Sequence, residues 1–123
     1  MIKYNVNYDK RTITAYFEGG KDYWIDSLDD MMFNIEHNIF DLNVYNRSDI
    51  KNIVNDYQMG AVVKCHPNDN FDEEFGKELA KKKLNERFNR CKIRVLKHFS
   101  NRALKAFNQY NERIIAKAKK GVK

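Results

Sequence analysis

Proline is almost absent from this chain: Pro67 is the only one, alongside five glycines and two cysteines. With so few breakers, long regular elements are allowed, and collagen-like or Pro/Gly-rich disordered classes are excluded. Two cysteines do not make the disulfide framework of a small secreted domain. No apolar run approaches the roughly 20 residues needed to span a bilayer, so no membrane partner is expected. The opening Met1-Ile2-Lys3-Tyr4-Asn5 alternates like a strand and lacks a signal peptide's apolar core. From these absences a cytoplasmic location, in a host bacterial cell, is expected. Also missing are G-x-x-x-x-G-K-[ST], G-x-G-x-x-G and G-x-S-x-G, so the usual phosphate cradles and nucleophile elbow have no counterpart. The three histidines, His37, His66 and His98, have no carboxylate that periodicity would set beside them. We therefore expect no enzyme.

Enough apolar residues remain for a modest core. Hydrophobic residues make up 42% of the 123, and sixteen aromatics each carry a large apolar payload. One domain over 1–123 is expected. Charge divides it: residues 1–70 carry seven Lys/Arg against eleven Asp/Glu, and residues 71–123 carry sixteen against six. An acidic-leaning body is thus followed by a basic arm. Such asymmetry marks a surface for an anionic partner, or two halves that attract each other.

Periodicity fills in the elements. Ile2, Tyr4, Val6 and Tyr8 alternate with polar residues, as do Ile13, Ala15 and Phe17 after Asp9-Lys10-Arg11, which reads as a β-hairpin ended by Gly19-Gly20. Trp24, Ile25, Leu28, Met31, Met32 and Ile35 form one stripe of a helix from Asp22 to Asn38, with Asp22 placed to cap it. Residues 39–45 read as a loop or an extended piece. Ser48 looks like the N-cap of a helix over 49–58. Gly60 to Cys65 is a third strand, ended at Pro67. Asn70 and Glu73 resemble a capping box that starts a long helix running to about Lys120.

Along that helix Leu84, Phe88, Cys91, Val95, Phe99, Ala103, Phe107, Tyr110 and Ile114 advance about 3.75 residues per step, longer than the 3.5 of a left-handed coiled coil. Ser100-Asn101 could divide it into two helices. An unbroken one needs a second chain or a partner to cover Phe99, Phe107 and Tyr110, so a homodimer through the C-terminal helix stays open. The fold class is α+β: a small antiparallel sheet packed with helices, and a long basic C-terminal helix or helix pair.

Three groups could carry function. Lys83, Arg87, Arg90, Arg94 and Lys97 step by 4, 3, 4 and 3, so they share a helix face, and a row of cations suits a phosphate backbone. Their bland alternative is a solvated face, or one paired with the acidic face of the 22–38 helix. Cys65, His66 and Cys91 are thiolate and imidazole donors that could hold zinc, although the spacing matches no zinc-finger pattern. Otherwise they are two small hydrophobes and a turn histidine, or a disulfide. No cofactor is firmly implied. Asp69, Asp72, Glu73 and Glu74 could hold a cation but lack the EF-hand order, and helix capping explains them.

One stretch, Lys64-Cys65-His66-Pro67-Asn68-Asp69-Asn70-Phe71-Asp72 with Gly76 beyond it, resembles a segment of small uncharacterised phage and mobile-element proteins of low-GC bacteria. The resemblance covers about 18 residues and carries no activity, but it implies a setting, an accessory phage gene. By analogy of class, small phage proteins without an active site include anti-CRISPR inhibitors of Cas effectors. The expected partner is then a host defence nuclease or its nucleic acid. A phage nucleic-acid-binding protein is the alternative, and a helix-mediated oligomeric structural protein a third.

Overall fold

A computed structural model describes residues 1–36 and 45–122. Strand β1 (Ile2–Asn7) pairs antiparallel with β2 (Thr12–Phe17), Ile2 opposite Phe17 and Asn7 opposite Thr12. In the connecting turn Asn7 Oδ1 accepts a hydrogen bond from the Lys10 amide at 3.0 Å, and Arg11 takes a left-handed φ of 53°. Strand β3 (Gly60–Lys64) adds antiparallel to the other side of β2, giving the order β1-β2-β3. The alternation read from the sequence sets the two faces. Ile13, Ala15, Phe17 and Ala61 are buried on one side, while Lys3, Asn5, Tyr16 and Val62 are exposed on the other.

Gly19 and Gly20, at φ 92° and 56°, turn the chain from β2 into helix α1 (Lys21–Ile35). Non-glycine residues rarely adopt two successive positive φ values. The helix starts on Gly20 with no side-chain cap, so Asp22 is not the cap that was expected; it sits in the first turn, where its charge still favours the helix dipole. Helix α2 (Arg47–Val54) is capped by Asn46, whose side chain accepts from the Asp49 amide at 2.8 Å. Ser48, the expected cap, lies inside the helix, which stops four residues short of Gln58. The segment read as loop or extended piece lies, apart from Tyr45, outside the described residues.

Helix α3 (Glu73–Lys120) is a single helix of 48 residues, about 72 Å long. Asp72 caps it, accepting from the Phe75 amide at 3.0 Å, in place of the Asn70 box. Ser100-Asn101 do not divide it. Both are exposed, and with no Pro or Gly near them nothing breaks the backbone ladder. Gly76, the one poor helix former in the first turns, is explained by contact. A Cβ there would run into the Ile13 Cδ1, so its absence lets the helix close onto β2.

The core lies between the inner face of the sheet, α1, α2 and the first thirty residues of α3. Leu84, Phe88, Cys91, Val95, Phe99 and Ala103 are all buried in it. The covering body ends there: Phe107 and Tyr110, next on the same stripe, are 51% and 61% exposed. Phe99 therefore needs no partner, contrary to the sequence expectation, because Tyr45 and His98 pack edge-on against its ring and Arg102 lies over it. Residues 104–120 project as an arm about 25 Å long.

Candidate binding face

The five-cation row lies on one side of α3, but its members do different work. Arg87 turns back to the body, donating to the Gln58 carbonyl at 3.2 Å and the Gly60 carbonyl at 2.5 Å. It ties the start of β3 to the helix. Arg94 pairs with Asp56 at 2.7 Å and lies over the Tyr57 ring. Arg90 has only a loose contact with Glu86 at 3.9 Å, two-thirds exposed. Lys83 and Lys97 have no ion-pair partner among the described residues, and Lys105, two turns past Lys97, extends the exposed row. The face available to a partner is therefore Lys83, Arg90, Lys97 and Lys105.

The two halves do attract each other, through α2 and Asp56 just past it. The α1 carboxylates Asp26 and Asp29 are taken by Arg47, at 2.5 and 3.0 Å. Asp49 on α2 faces α3, with Arg102 at 2.6 Å and His98 Nε2 at 3.3 Å. Burial pushes the Asp49 carboxyl upward, but hydrogen bonds from His98 and Arg102 outweigh it and hold the group below its ordinary value. A depressed carboxyl stabilises the fold above the unfolded pKa, near 4, and loses that contribution as pH falls through the folded value. Asp49→Ala should therefore lower stability by about 1 kcal/mol at neutral pH, and the gap should narrow toward pH 3. Urea midpoints of both proteins across that range check it; a gap that holds constant would show that the ion pairs are not its source.

Cys65 and Cys91 are not brought together. Cys65 follows β3 beside the first turns of α3, in a cleft of about 260 Å³ that Gly76 and Leu79 also line. Cys91 lies twelve residues past Leu79, about 18 Å along the helix. It is fully buried, and burial pushes its thiol up to about 11, so at neutral pH it stays a protonated core residue. The Cys65 Sγ receives the Arg11 guanidinium at 3.4 Å, and the His66 Nδ1 accepts from the Asn68 amide at 3.2 Å. Both cysteines are free thiols. In the acidic loop Asp72 caps α3, while Glu73 accepts from the Tyr8 hydroxyl at 3.0 Å and pairs with Lys77. Among the described residues no group of three or more His, Cys, Asp and Glu could hold a metal ion, and no helix is long and apolar enough to cross a membrane.

The single stripe read from the sequence passed over three exposed apolar residues: Ile93, Leu104 and Ile115. They lie off the core stripe, on a second face of α3. The signal that finds Ile93 and Leu104 is a separate 4-3 alternation, hidden beneath the 3.75-residue spacing of the buried stripe; Ile115 lies beside it. No family model, curated protein or solved structure matches the chain.

Proposed function

We propose that the protein is a non-catalytic, phage-encoded binding protein that blocks a host defence nuclease, an inhibitor of the anti-CRISPR class. One observation supports this reading. From Phe75 onward sixteen cations face three acidic residues, Glu78, Glu86 and Glu112, and the row Lys83, Arg90, Lys97 and Lys105 stands exposed on a rigid helix. Such a row fits the phosphates of a guide or target strand held in an effector, or an acidic patch of the effector itself. The resemblance of residues 64–76 to phage accessory proteins supports the setting. The same row supports a second reading, a phage protein that binds nucleic acid alone.

The experiment assays cleavage by a panel of purified guide-loaded Cas nucleases, with wild-type protein and with a Lys83→Glu/Arg90→Glu/Lys97→Glu variant. The expected result is inhibition of at least one nuclease by the wild type, and a loss of potency of at least about 100-fold in the variant. The variant should keep its stability within about 1 kcal/mol, because these side chains reach no essential partner. Arg87→Ala should behave in the opposite way, costing about 1–3 kcal/mol by leaving two carbonyls without their donor. If no nuclease is blocked, yet the wild type binds DNA or RNA with an affinity that falls steeply with salt, the second reading takes its place.

A further inference from the structure

We infer that the outer face of the C-terminal half of α3 is a self-association seam, and that its occupant is a second copy of this chain lying antiparallel to the first. Positions 93, 97, 100, 104, 107, 111, 114 and 118 advance by 4, 3, 4, 3, 4, 3 and 4. They hold Ile93, Lys97, Ser100, Leu104, Phe107, Asn111, Ile114 and Ala118. An unbroken 4-3 alternation keeps one seam facing one partner helix along its length, and it is the period of a left-handed coiled coil. The seam runs about 39 Å.

Geometry leaves it open. At 100° per residue, the Leu104–Ile114 part of the seam lies roughly 100° around the helix from Val95, Phe99 and Ala103, which face the body. A second helix can therefore approach without displacing the domain. Ile93, Leu104, Phe107, Tyr110, Ile114 and Ile115 are between 48% and 61% exposed. Together they offer on the order of 600 Å² a copy, close to the roughly 800 Å² per partner of a standard specific interface.

Two features select a second copy over a lipid surface or an unrelated groove. The first is where the charges sit. Beside the seam, Leu96, Asn101, Ala103, Asn108, Tyr110 and Ile115 are neutral and the exceptions are Arg94, already paired with Asp56, and Lys117, whereas Lys105, Glu112, Arg113, Lys119 and Lys120 lie on the outer positions. A helix meant for an anionic surface carries its cations along the apolar border, where they meet headgroups. The second is the matching of polar layers. Centred between residues 105 and 106, an antiparallel copy sets Leu104 against Phe107 and Ser100 against Asn111. Ser100 and Asn111, the uncharged polar residues of the seam, then meet each other, whereas a lipid surface or an apolar groove would leave both unsatisfied; Lys97 falls opposite Ile114, where its aliphatic stem lies along the seam and carries the ammonium out to water. A parallel copy would instead set Lys97 against Lys97 and bring both basic ends together.

This inference does not rest on the inhibitor reading, since its test contains no target. The mass of the full chain is measured by sedimentation equilibrium from low to high micromolar concentration, at low and at moderate salt. A shift to twice the 14.7 kDa of one chain is expected, and it should strengthen with salt, because screening relieves repulsion between two basic arms. Leu104→Glu/Phe107→Glu should weaken association at least 100-fold while the thermal melt of the monomer stays in place, as both side chains are exposed. Orientation is read in a Cys65→Ser background. Ser100→Cys/Asn111→Cys should cross-link copies on mild oxidation, and Asn111→Cys alone should not. A wild type that stays monomeric throughout overturns the inference, as does a dimer indifferent to the double Glu variant. Cross-linking by Asn111→Cys alone overturns the antiparallel arrangement. Monomer that instead binds phosphatidylglycerol vesicles through Leu104 and Phe107 assigns the seam to a membrane and also overturns it.

Discussion

Replacing Phe99 by alanine should cost the domain about 3–5 kcal/mol, while the same change at Phe107, two turns further along the same helix, should cost less than about 0.5 kcal/mol in the monomer. The contrast comes from where the body ends. Phe99 is fully buried, with the Tyr45 ring 5.6 Å and the His98 ring 4.9 Å from its own. Its truncation removes a large buried surface and leaves a cavity that Val95 and Ala103, fixed on the same rigid helix, cannot collapse to fill. Phe107 is half exposed, and its loss opens no cavity. Small domains have only about 5–15 kcal/mol of total stability, so Phe99→Ala removes a large part of it. Urea unfolding at low micromolar concentration, where association does not contribute, measures both. Equal losses at the two sites would mean that the arm folds back on the body and that Phe107 is buried in solution.

That boundary could not be read from the sequence. Phe99, Ala103, Phe107 and Tyr110 continue one stripe without interruption, and nothing in their spacing says where seventy residues of body run out. What could be read were patterns that one element fixes alone. The alternation at Ile2, Tyr4 and Val6 and at Ile13, Ala15 and Phe17 sets the faces of the hairpin, because strand side chains alternate whatever lies beyond. The stripe from Leu84 to Ala103 sets the inner face of α3 in the same way. Caps are less legible. Asn46 and Ser48, or Asn70 and Asp72, can all accept from an amide, and the register of the loop before each helix decides which one does.

The site divides along the same line. That Lys83, Arg87, Arg90, Arg94 and Lys97 share a side of α3 follows from helical spacing. That Arg87 serves the Gln58 and Gly60 carbonyls does not, since it depends on β3 arriving beneath that turn. Cys65 and Cys91 show the reverse case, donor types that look promising in sequence but are held apart by the sheet and helix, Cys91 standing about 18 Å along α3 from Leu79, which lines the cleft of Cys65. The seam at Ile93, Leu104 and Phe107 was present in the sequence all along. It became visible only once the structure had assigned the stronger stripe to the core.

The single tryptophan should give the other large effect, and with an unusual pattern. Trp24 is fully buried on α1, and its ring meets Phe17 of β2 at 6.4 Å, Phe88 of α3 at 5.1 Å and Tyr57, just past α2, at 6.2 Å. It joins sheet and helices at one point, and Trp24→Ala should cost about 3–5 kcal/mol. Its indole N–H, however, is buried without a hydrogen-bond partner among the described residues. Such a donor costs about 1–3 kcal/mol, and phenylalanine removes it while keeping an aromatic ring among the other three. The two buried ring carbons lost, about 1.6 kcal/mol at about 0.8 kcal/mol each, and the unsatisfied donor removed then nearly offset each other, so Trp24→Phe should stay within about 1 kcal/mol of wild type. Because the substitution removes the only tryptophan, unfolding of all three proteins should be followed by far-ultraviolet circular dichroism. A Trp24→Phe loss as large as that of Trp24→Ala would mean that the indole N–H has a partner in solution, and that Trp24 holds the core by a polar bond as well as by packing.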